Sequence, residues 1–382
     1  MLLLNRPVSM LVLIGLGSMS GCAMPASGGA PPTEPIQAGT AAAANILSSK
    51  ATFPPGDGFL FVGNNDGNNK LGSVSVYDST DGKMPAKIIE NDISDPDSFA
   101  VAQNGDLYVS NNGNVNFPGS IVQYAGHSGK VVRTITNGIS HPDGLALDTS
   151  GNVYAANFEG NAITVYGSQG TQPTKTITDG VSMPESMLFD AKGDLFVSNF
   201  AALEKGHQKP GWVSEYAPNT LKLLARFASG LETPGAIALN SSNSLLAVGD
   251  THSNRILEYD VSAVKLVRTI TKDIAYPESA AFDASDNLYV LSDGYGKFGT
   301  GAVLVFPSGS SKPTAKITEG VHYPSSMKLD SEGDVYVSNL KKCLVHGPCN
   351  DGSVSIYTAQ SFKLAEQIQK GLNGAATLML GK

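Results

Sequence analysis

The chain repeats one pattern of apolar and polar positions about every 46 residues. Residues 141–157, HPDGLALDTSGNVYAAN, show an apolar run, a turn containing Asp148 and Gly151, and a second alternating run. Because an Asp side chain bonds backbone groups in turns and Gly accepts a positive φ, we expect a β-hairpin here. Strand-like segments at 162–166 and 174–178 follow. The pattern therefore predicts four short antiparallel strands per unit.

Three marks recur in one register along the chain. An apolar strand ends on an aromatic residue in each unit, at Tyr77, Tyr124, Tyr166, Tyr216, Tyr259, Phe306 and Tyr357. A later tail closes on Gly or Asp, at Asp92, Gly138, Gly180, Gly230, Asp273, Gly320 and Gly371. An aliphatic residue follows each tail directly. A fixed period of strand-like units predicts a propeller or a solenoid, and four-stranded units of this length are typical of propeller blades.

The last copy of the unit is divided between the two ends of the chain. Whole units begin near residues 93, 139, 181, 231, 274 and 321. Residues 372–380 match only a first strand, and residues 58–92 match only the other three. Joining them closes the ring and leaves no free sheet edge. We predict an all-β, seven-bladed β-propeller of four-stranded antiparallel blades. A six-bladed ring is the alternative, because the first blade is the least regular copy.

The segment before the repeats predicts export. Residues 1–22 contain one basic residue and an apolar run too short to span a bilayer, then small residues before Cys22. This ending resembles the bacterial lipobox, which implies acylation of Cys22 and a membrane-anchored lipoprotein, periplasmic or at the cell surface. Simple secretion is the alternative. Residues 23–56 are rich in Ala, Gly, Pro and Ser and predict a flexible tether, which leaves 57–382 for the propeller.

The net charge and the cysteines limit the kinds of partner and covalent link that the sequence predicts. The net charge of −8 argues against nucleic acid, because binding phosphates needs a basic surface. Cys343 and Cys349 lie in one loop, and in an exported protein they predict a disulfide; a metal pair with His346 is the alternative. No Ser/His/Asp order, phosphate-binding Gly loop or zinc spacing stands out.

Four acidic residues follow a recurring Pro at the predicted start of an inner strand. They are Asp97, Asp143, Glu185 and Glu278. The same end of the channel carries the long, variable loops between second and third strands, where binding usually resides. Converging carboxylates suit a hard cation such as Ca²⁺ or Mg²⁺ and raise one another's pKa. Solvated turns are the alternative for these four residues.

A second set of polar residues ends the second strands. The set comprises Asn64, Asn111, Asn157, Asn199, Asp250, Asp293 and Asn339. We treat Asn111, Asn157, Asn199 and Asp250 as candidate ligand-binding residues, although side chains of this type often bond loop backbone instead.

His141, His322 and Trp212 complete the candidates. His141 and His322 stand beside the recurring Pro positions, and Trp212 borders a long loop. Trp212 could form part of a platform for carbohydrate or peptide, or pack the loop down. The histidines could serve only as hydrogen-bonding residues.

The unit PDGLALDTSGNVYAAN, residues 142–157, resembles NHL-repeat propellers and the gluconolactonase (senescence-marker-protein) family. That resemblance implies a divalent metal at the channel mouth, with Asp143 in the place of an Asp ligand and Glu185 or Asp97 among the others. Streptogramin lyases, which are seven-bladed and magnesium-dependent, are a second resemblance. Our first hypothesis is a binding module for a small molecule, carbohydrate or protein. A lactonase-like or lyase-like enzyme is the alternative, and whether the chain is an enzyme stays open.

Overall fold

The computed structural model describes residues 58–65, 72–78, 83–112, 119–201, 203–204, 207–294, 301–340, 352–359 and 361–381. All of them lie in one compact unit, Phe53–Lys382. The predictions of an export signal ending at Cys22, of a tether, and of a Cys343–Cys349 disulfide lie outside these residues.

The described residues form a ring of seven four-stranded antiparallel sheets and contain no helix. We name the strands of each blade a to d from the channel outwards. Blade 1 is formed by β1 (Phe59–Asn64), β2 (Ser73–Asp78), β3 (Lys87–Ile89) and, from the other end of the chain, β30 (Ala375–Gly381). Blade 2 contains β4 (Pro96–Val101), β5 (Leu107–Asn111), β6 (Ser120–Tyr124) and β7 (Val131–Ile135). Blade 3 contains β8 (Pro142–Leu147), β9 (Val153–Asn157), β10 (Ala162–Tyr166) and β11 (Pro173–Ile177).

The remaining blades repeat this order. Blade 4 contains β12 (Pro184–Phe189), β13 (Leu195–Asn199), β16 (Trp212–Tyr216) and β17 (Leu223–Phe227), with a short hairpin, β14 (Leu203–Glu204) and β15 (His207–Gln208), before its strand c. Blade 5 contains β18 (Pro234–Leu239), β19 (Leu245–Asp250), β20 (Arg255–Asp260) and β21 (Lys265–Ile270). Blade 6 contains β22 (Pro277–Phe282), β23 (Leu288–Ser292), β24 (Ala302–Phe306) and β25 (Ala315–Ile317). Blade 7 contains β26 (Pro324–Leu329), β27 (Val335–Asn339), β28 (Ser353–Tyr357) and β29 (Leu364–Ile368).

The two ends of the propeller meet in blade 1. β30 pairs antiparallel with β1 from Phe59↔Gly381 to Gly63↔Thr377, with a bulge between Gly63 and Asn64. The strand order β3–β2–β1–β30 is the one that the divided repeat predicts. The seven-bladed prediction is confirmed, and the six-bladed alternative is wrong.

Each of the three sequence marks has a structural cause. The Tyr at the end of strand c is fully buried, and its hydroxyl donates to a carbonyl of the preceding blade's last turn, as from Tyr124 to Asn91 O at 2.5 Å and from Tyr357 to Glu319 O at 2.6 Å. The Gly or Asp that closes each tail has a left-handed backbone, with φ of 77° at Gly138 and 58° at Asp92. The aliphatic residue after it packs between blades. The marks therefore identify the contacts that join one blade to the next.

Candidate functional site

The inner strands of blades 2 to 7 begin with a Pro at one end of the channel, which we call the mouth. The residue before the Pro has a left-handed backbone in five of these blades, at Asp95, His141, Met183, Tyr276 and Tyr323. This conformation is unfavourable for non-Gly residues, and the α region is further disfavoured before Pro. It is held in place because the carbonyl of that residue accepts a hydrogen bond from the residue after strand b. Examples are Asn112 N to Asp95 O at 3.1 Å and Phe158 N to His141 O at 2.9 Å.

Three carboxyl groups from blades 2, 3 and 4 interact at the mouth. We call Asp97, Asp143 and Glu185 the acidic cluster. Burial raises the pKa of Asp97 well above its usual value, and the charges of Asp95 and Glu185 raise it further. Burial and then the charges of Asp97 and Glu185 raise the pKa of Asp143 in the same way. The sequence predicts that these residues share one site, and the charge of Glu185 contributes to the raised pKa of both Asp97 and Asp143.

Glu185 connects the cluster to the fourth predicted carboxyl. Burial raises the pKa of Glu185 to about 7. The position that a Cβ on Gly235 would occupy lies 2.9 Å from Thr251 Oγ1 and 3.1 Å from Glu185 Oε1, so both side chains border the gap that Gly235 leaves in blade 5. On the far side of that gap, burial and then the charges of Asp293 and Glu185 raise the pKa of Glu278. The acidic groups therefore extend from blade 2 to blade 6.

The acidic cluster has no ion pair with Lys or Arg among the residues that the structure describes. Within the described ranges, the basic side chain that contacts the cluster is His141, whose Nε2 lies 3.4 Å from Asp143 Oδ1. Burial lowers the pKa of His141, and the nearby Glu159 charge opposes that shift only in part. His141 is therefore a largely neutral partner that does not balance the negative charge.

Asn112, the residue after strand b of blade 2, also belongs to this site. Its side chain hydrogen-bonds the Asp143 carboxyl. It is only 7% exposed, and its Oδ1 is buried with no hydrogen-bond partner within the described part of the chain. An unpaired buried acceptor costs about 1–3 kcal/mol. The mouth thus presents carboxylate oxygens together with an amide oxygen that lacks a donor.

Aromatic side chains continue from the acidic cluster around the mouth. Successive ring centroids are 6.1 Å apart from His141 to Phe158, 6.3 Å to Phe200, 5.7 Å to His252 and 5.7 Å to Tyr276. We call these five residues the aromatic arc. The arc runs from blade 3 to blade 6 and begins at the imidazole that contacts Asp143. The sequence analysis singled out only His141 among them, although Phe158 and Phe200 share one position of the repeat.

The Asn residues that end strands b have a structural role. Each Oδ1 accepts a backbone N–H from the turn before the inner strand, as from Ser94 to Asn111 at 3.0 Å, from Ser140 to Asn157 at 2.8 Å and from Ser182 to Asn199 at 2.9 Å. Asp250 accepts from Thr233 N at 2.7 Å, and its other oxygen pairs with Arg255 at 2.7 Å. Asn111, Asn157, Asn199 and Asp250 are buried and bonded to the fold itself. The structural alternative accounts for them.

One member of that set was assigned one residue too late. Ser292 pairs with Pro277, as Asn111 pairs with Pro96, and Ser292 Oγ accepts the Ala275 N–H at 2.8 Å. Asp293 instead follows the strand, where Asn112 stands in blade 2, and burial raises its pKa to about 6. The two remaining candidates are His322, which precedes the inner strand of blade 7, and Trp212, which begins strand c of blade 4.

His322 is exposed, and its N–H bonds Asn339 at 2.8 Å. Trp212 Nε1 donates to Gly180 O at 3.0 Å, and the Arg226 guanidinium lies 5.2 Å from its ring centroid. Trp212 therefore packs blade 4 against blade 3.

Comparisons with known proteins support the fold and not a family. No family model matches the chain, and no curated protein matches it. Among solved structures, the chain is similar to the Kuenenia stuttgartiensis hydrazine synthase, with a TM-score of 0.60 and 13% identity over 75% of this chain and 90% of that one. At this identity the likeness shows the propeller fold alone. No helix among the described residues is long and apolar enough to cross a membrane.

Proposed function

We propose that this propeller is a binding module whose mouth receives a positively charged group. The observation that carries the proposal is the acidic cluster, Asp97, Asp143 and Glu185, which the protein largely encloses without a Lys or Arg partner among the described residues. Enclosing like charges is unfavourable unless a counter-charge arrives or protons are taken up. A bound cationic group would neutralise the cluster and lower that cost.

The sequence supports an exported, lipid-anchored setting for this module, with residues 23–56 as a tether between membrane and propeller. Cys22→Ser removes the acylation site, so we expect the variant in the soluble fraction and the unaltered protein with membranes. Ser20→Ala keeps a small residue before Cys22 and should leave the protein with membranes. Equal fractionation of all three proteins would contradict the lipid anchor.

The binding proposal is tested by thermal unfolding at pH 7.5 and constant ionic strength. The probes are CaCl₂, MgCl₂ and n-butylammonium chloride at millimolar concentration, each compared with NaCl. A ligand of the native state raises the unfolding midpoint by mass action. We expect at least one probe to do so in the unaltered protein and much less in Asp143→Asn/Glu185→Gln.

Glu332→Gln is the matched control for this test. It removes one carboxylate charge, where the double variant removes two, in an exposed turn on the opposite face of the propeller. The control should respond to the probes as the unaltered protein does. No probe-dependent shift in any protein would overturn the proposal.

A metal-dependent hydrolase of the lactonase type is the second candidate. The observation that favours it is a carboxyl with a pKa of about 7 beside the His141–Asp143 contact, because such groups exchange protons at neutral pH. The carboxylate and amide oxygens are of the kind that Ca²⁺ or Mg²⁺ prefers. The described residues nevertheless include no group of three His, Cys, Asp or Glu side chains arranged to hold a metal ion. Hydrolysis of D-glucono-δ-lactone that EDTA abolishes, Ca²⁺ or Mg²⁺ restores and Asp143→Asn removes would support this candidate.

A further inference from the structure

We infer that the mouth recognises a primary ammonium group carried on an apolar stem, with Asn112 as the residue that accepts one of its N–H donors and the aromatic arc as the wall for the stem. This inference rests on the proposed function and specifies the class of ligand. Three independent features of the site point to it.

The first feature is the type of group that lacks a partner. Asn112 Oδ1 is an acceptor, buried and without a donor among the described residues, while the same amide hydrogen-bonds Asp143. Carboxylate oxygens are also acceptors when ionised. A ligand that satisfies this site must therefore supply N–H or O–H donors as well as positive charge. An ammonium group brings three donors and one charge.

The second feature is the distribution of the acidic groups. Glu185 Oε1 borders the space at Gly235, and Glu278 in blade 6, outside the acidic cluster, lies close enough for the charge of Glu185 to raise its pKa. No three of the described acidic, His or Cys side chains are arranged around one point as a metal ion requires. Acceptors spread around a mouth suit a group whose donors point in several directions and which shares the site with water.

The third feature is the aromatic arc beside the acids. Phe158 and Phe200 lie between His141, which contacts Asp143, and His252 in blade 5. Aromatic faces attract organic cations and pack against the stems of amines. A strongly hydrated Ca²⁺ or Mg²⁺ ion takes oxygen ligands and gains nothing from Phe side chains. The combination of carboxylates and aromatic rings thus favours an organic cation.

The inference is tested by calorimetric titration at pH 7.5 with n-butylammonium chloride as the probe. n-Butanol, which has the same apolar stem and no charge, is the control for the stem. CaCl₂ and MgCl₂ test whether the site binds metal ions. For a probe of this size we expect a dissociation constant on the order of 1 mM. n-Butanol should bind at least about tenfold more weakly, because it lacks the charge that the carboxylates select. Ca²⁺ and Mg²⁺ should compete poorly with the amine.

Variants of Asn112 separate recognition from folding. Asn112→Leu removes the acceptor at similar size, and we expect about tenfold weaker binding of n-butylammonium. Asn112→Asp keeps an acceptor oxygen at the same place and should bind at least as tightly as the unaltered protein. A merely structural Asn112 would lose binding in both variants. Equal affinity in the unaltered protein and Asn112→Leu would also overturn its role.

Phe158→Leu and Phe200→Leu test the wall of the site. Each should weaken n-butylammonium binding by about threefold or more, as expected for loss of a cation–π contact. Neither change should alter any response to Ca²⁺. Circular dichroism spectra and unfolding midpoints identify a variant that fails to fold, and Phe200→Tyr, which keeps the ring, should restore binding relative to Phe200→Leu.

The outcomes also distinguish this inference from the proposed function. If Ca²⁺ or Mg²⁺ binds through Asp143 and Glu185 while n-butylammonium does not, the inference is wrong and the binding proposal stands. If no cation binds, both are wrong. The ammonium group could belong to a free amine or to a lysine side chain of a protein. Nα-acetyl-lysine methylamide distinguishes these sources, because at least tenfold tighter binding than n-butylammonium would show recognition of the peptide backbone as well.

Discussion

At the scale of single residues, the pKa values of the carboxyl groups at the mouth are raised, whereas ion pairing lowers the pKa of most acidic side chains. Burial raises the pKa values of Asp97, Asp143, Glu185 and Glu278 in the folded chain, and the charges of neighbouring carboxylates add to the shift at Asp97, Asp143 and Glu278. Unfolded Asp and Glu titrate near pH 4. Between about pH 4 and the raised values the folded state therefore binds more protons than the unfolded state. These groups make the ligand-free protein less stable as the pH rises through that range.

The double variant Asp143→Asn/Glu185→Gln should lose less stability than the unaltered protein as the pH rises. At pH 7.5 we expect the double variant to be more stable than the unaltered protein by about 1–4 kcal/mol, since uncompensated enclosed charge disappears. At pH 4.5 the difference should be small, because the unaltered carboxyls are largely protonated in the folded state. Urea unfolding at both pH values measures the effect. The other charged groups that face the site are Asp95, His141, Glu159, Glu278 and Asp293.

The difference in the free energy of unfolding between the double variant and the unaltered protein reports on Asp143 and Glu185, because the neighbouring groups are present in both proteins. The neutral His141, for example, contributes the opposite slope, because its pKa is lowered in the folded chain. Glu332→Gln, the exposed control, should show no comparable gain at pH 7.5. A double variant that is equally or less stable at pH 7.5 would contradict the assignment of the raised pKa values.

At the scale of the blade, one polar residue connects strand b with strand c and with the turn before strand a. Asn157, at the end of strand b in blade 3, accepts the Ser140 N–H at 2.8 Å and donates to Thr164 Oγ1 on strand c at 2.9 Å. Asp250 does the same in blade 5 with Arg255 on strand c as counter-charge. Ser292 in blade 6 accepts the equivalent N–H, from Ala275, and its hydroxyl donates back to the Ala275 carbonyl. The conserved feature of the repeat is therefore an acceptor for one backbone N–H rather than a particular side chain.

Asn157→Ala should destabilise the protein by about 1–3 kcal/mol, because the Ser140 N–H loses its acceptor and Thr164 loses its donor. Asn157→Ser places in blade 3 the residue type that blade 6 has at this position. It should lose clearly less stability than Asn157→Ala, although Ser and Ala are similar in size. Urea unfolding curves of the three proteins measure both differences. Equal losses for Ala and Ser would show that the acceptor contributes nothing.

At the scale of the whole molecule, the sequence predicts what repeats and misses what varies. The Tyr hydroxyl bonds and the left-handed Gly or Asp positions recur in most blades, so their period defined the ring and its closure. The acidic cluster was found because it follows a recurring Pro. The site's other parts stand at the position after strand b, which holds Asn112 in blade 2, Phe158 in blade 3 and Asp293 in blade 6. A pattern that all blades share carries no information about a position whose residue type changes from blade to blade. The contacts of these residues are seen only in the folded ring.

Ring closure makes residues of β30 part of the core. Leu378 in β30 is 1% exposed and packs with Val62, Tyr336 and Val354 from the two blades that the closure joins. We expect Leu378→Ala to destabilise the protein by about 2–5 kcal/mol, as for a buried Leu elsewhere in a core. Leu380→Ala, in the same strand but only partly buried, is the matched control and should cost less. Chemical unfolding measures both, and a cost below about 0.5 kcal/mol for Leu378→Ala would mean that β30 does not close the ring in solution.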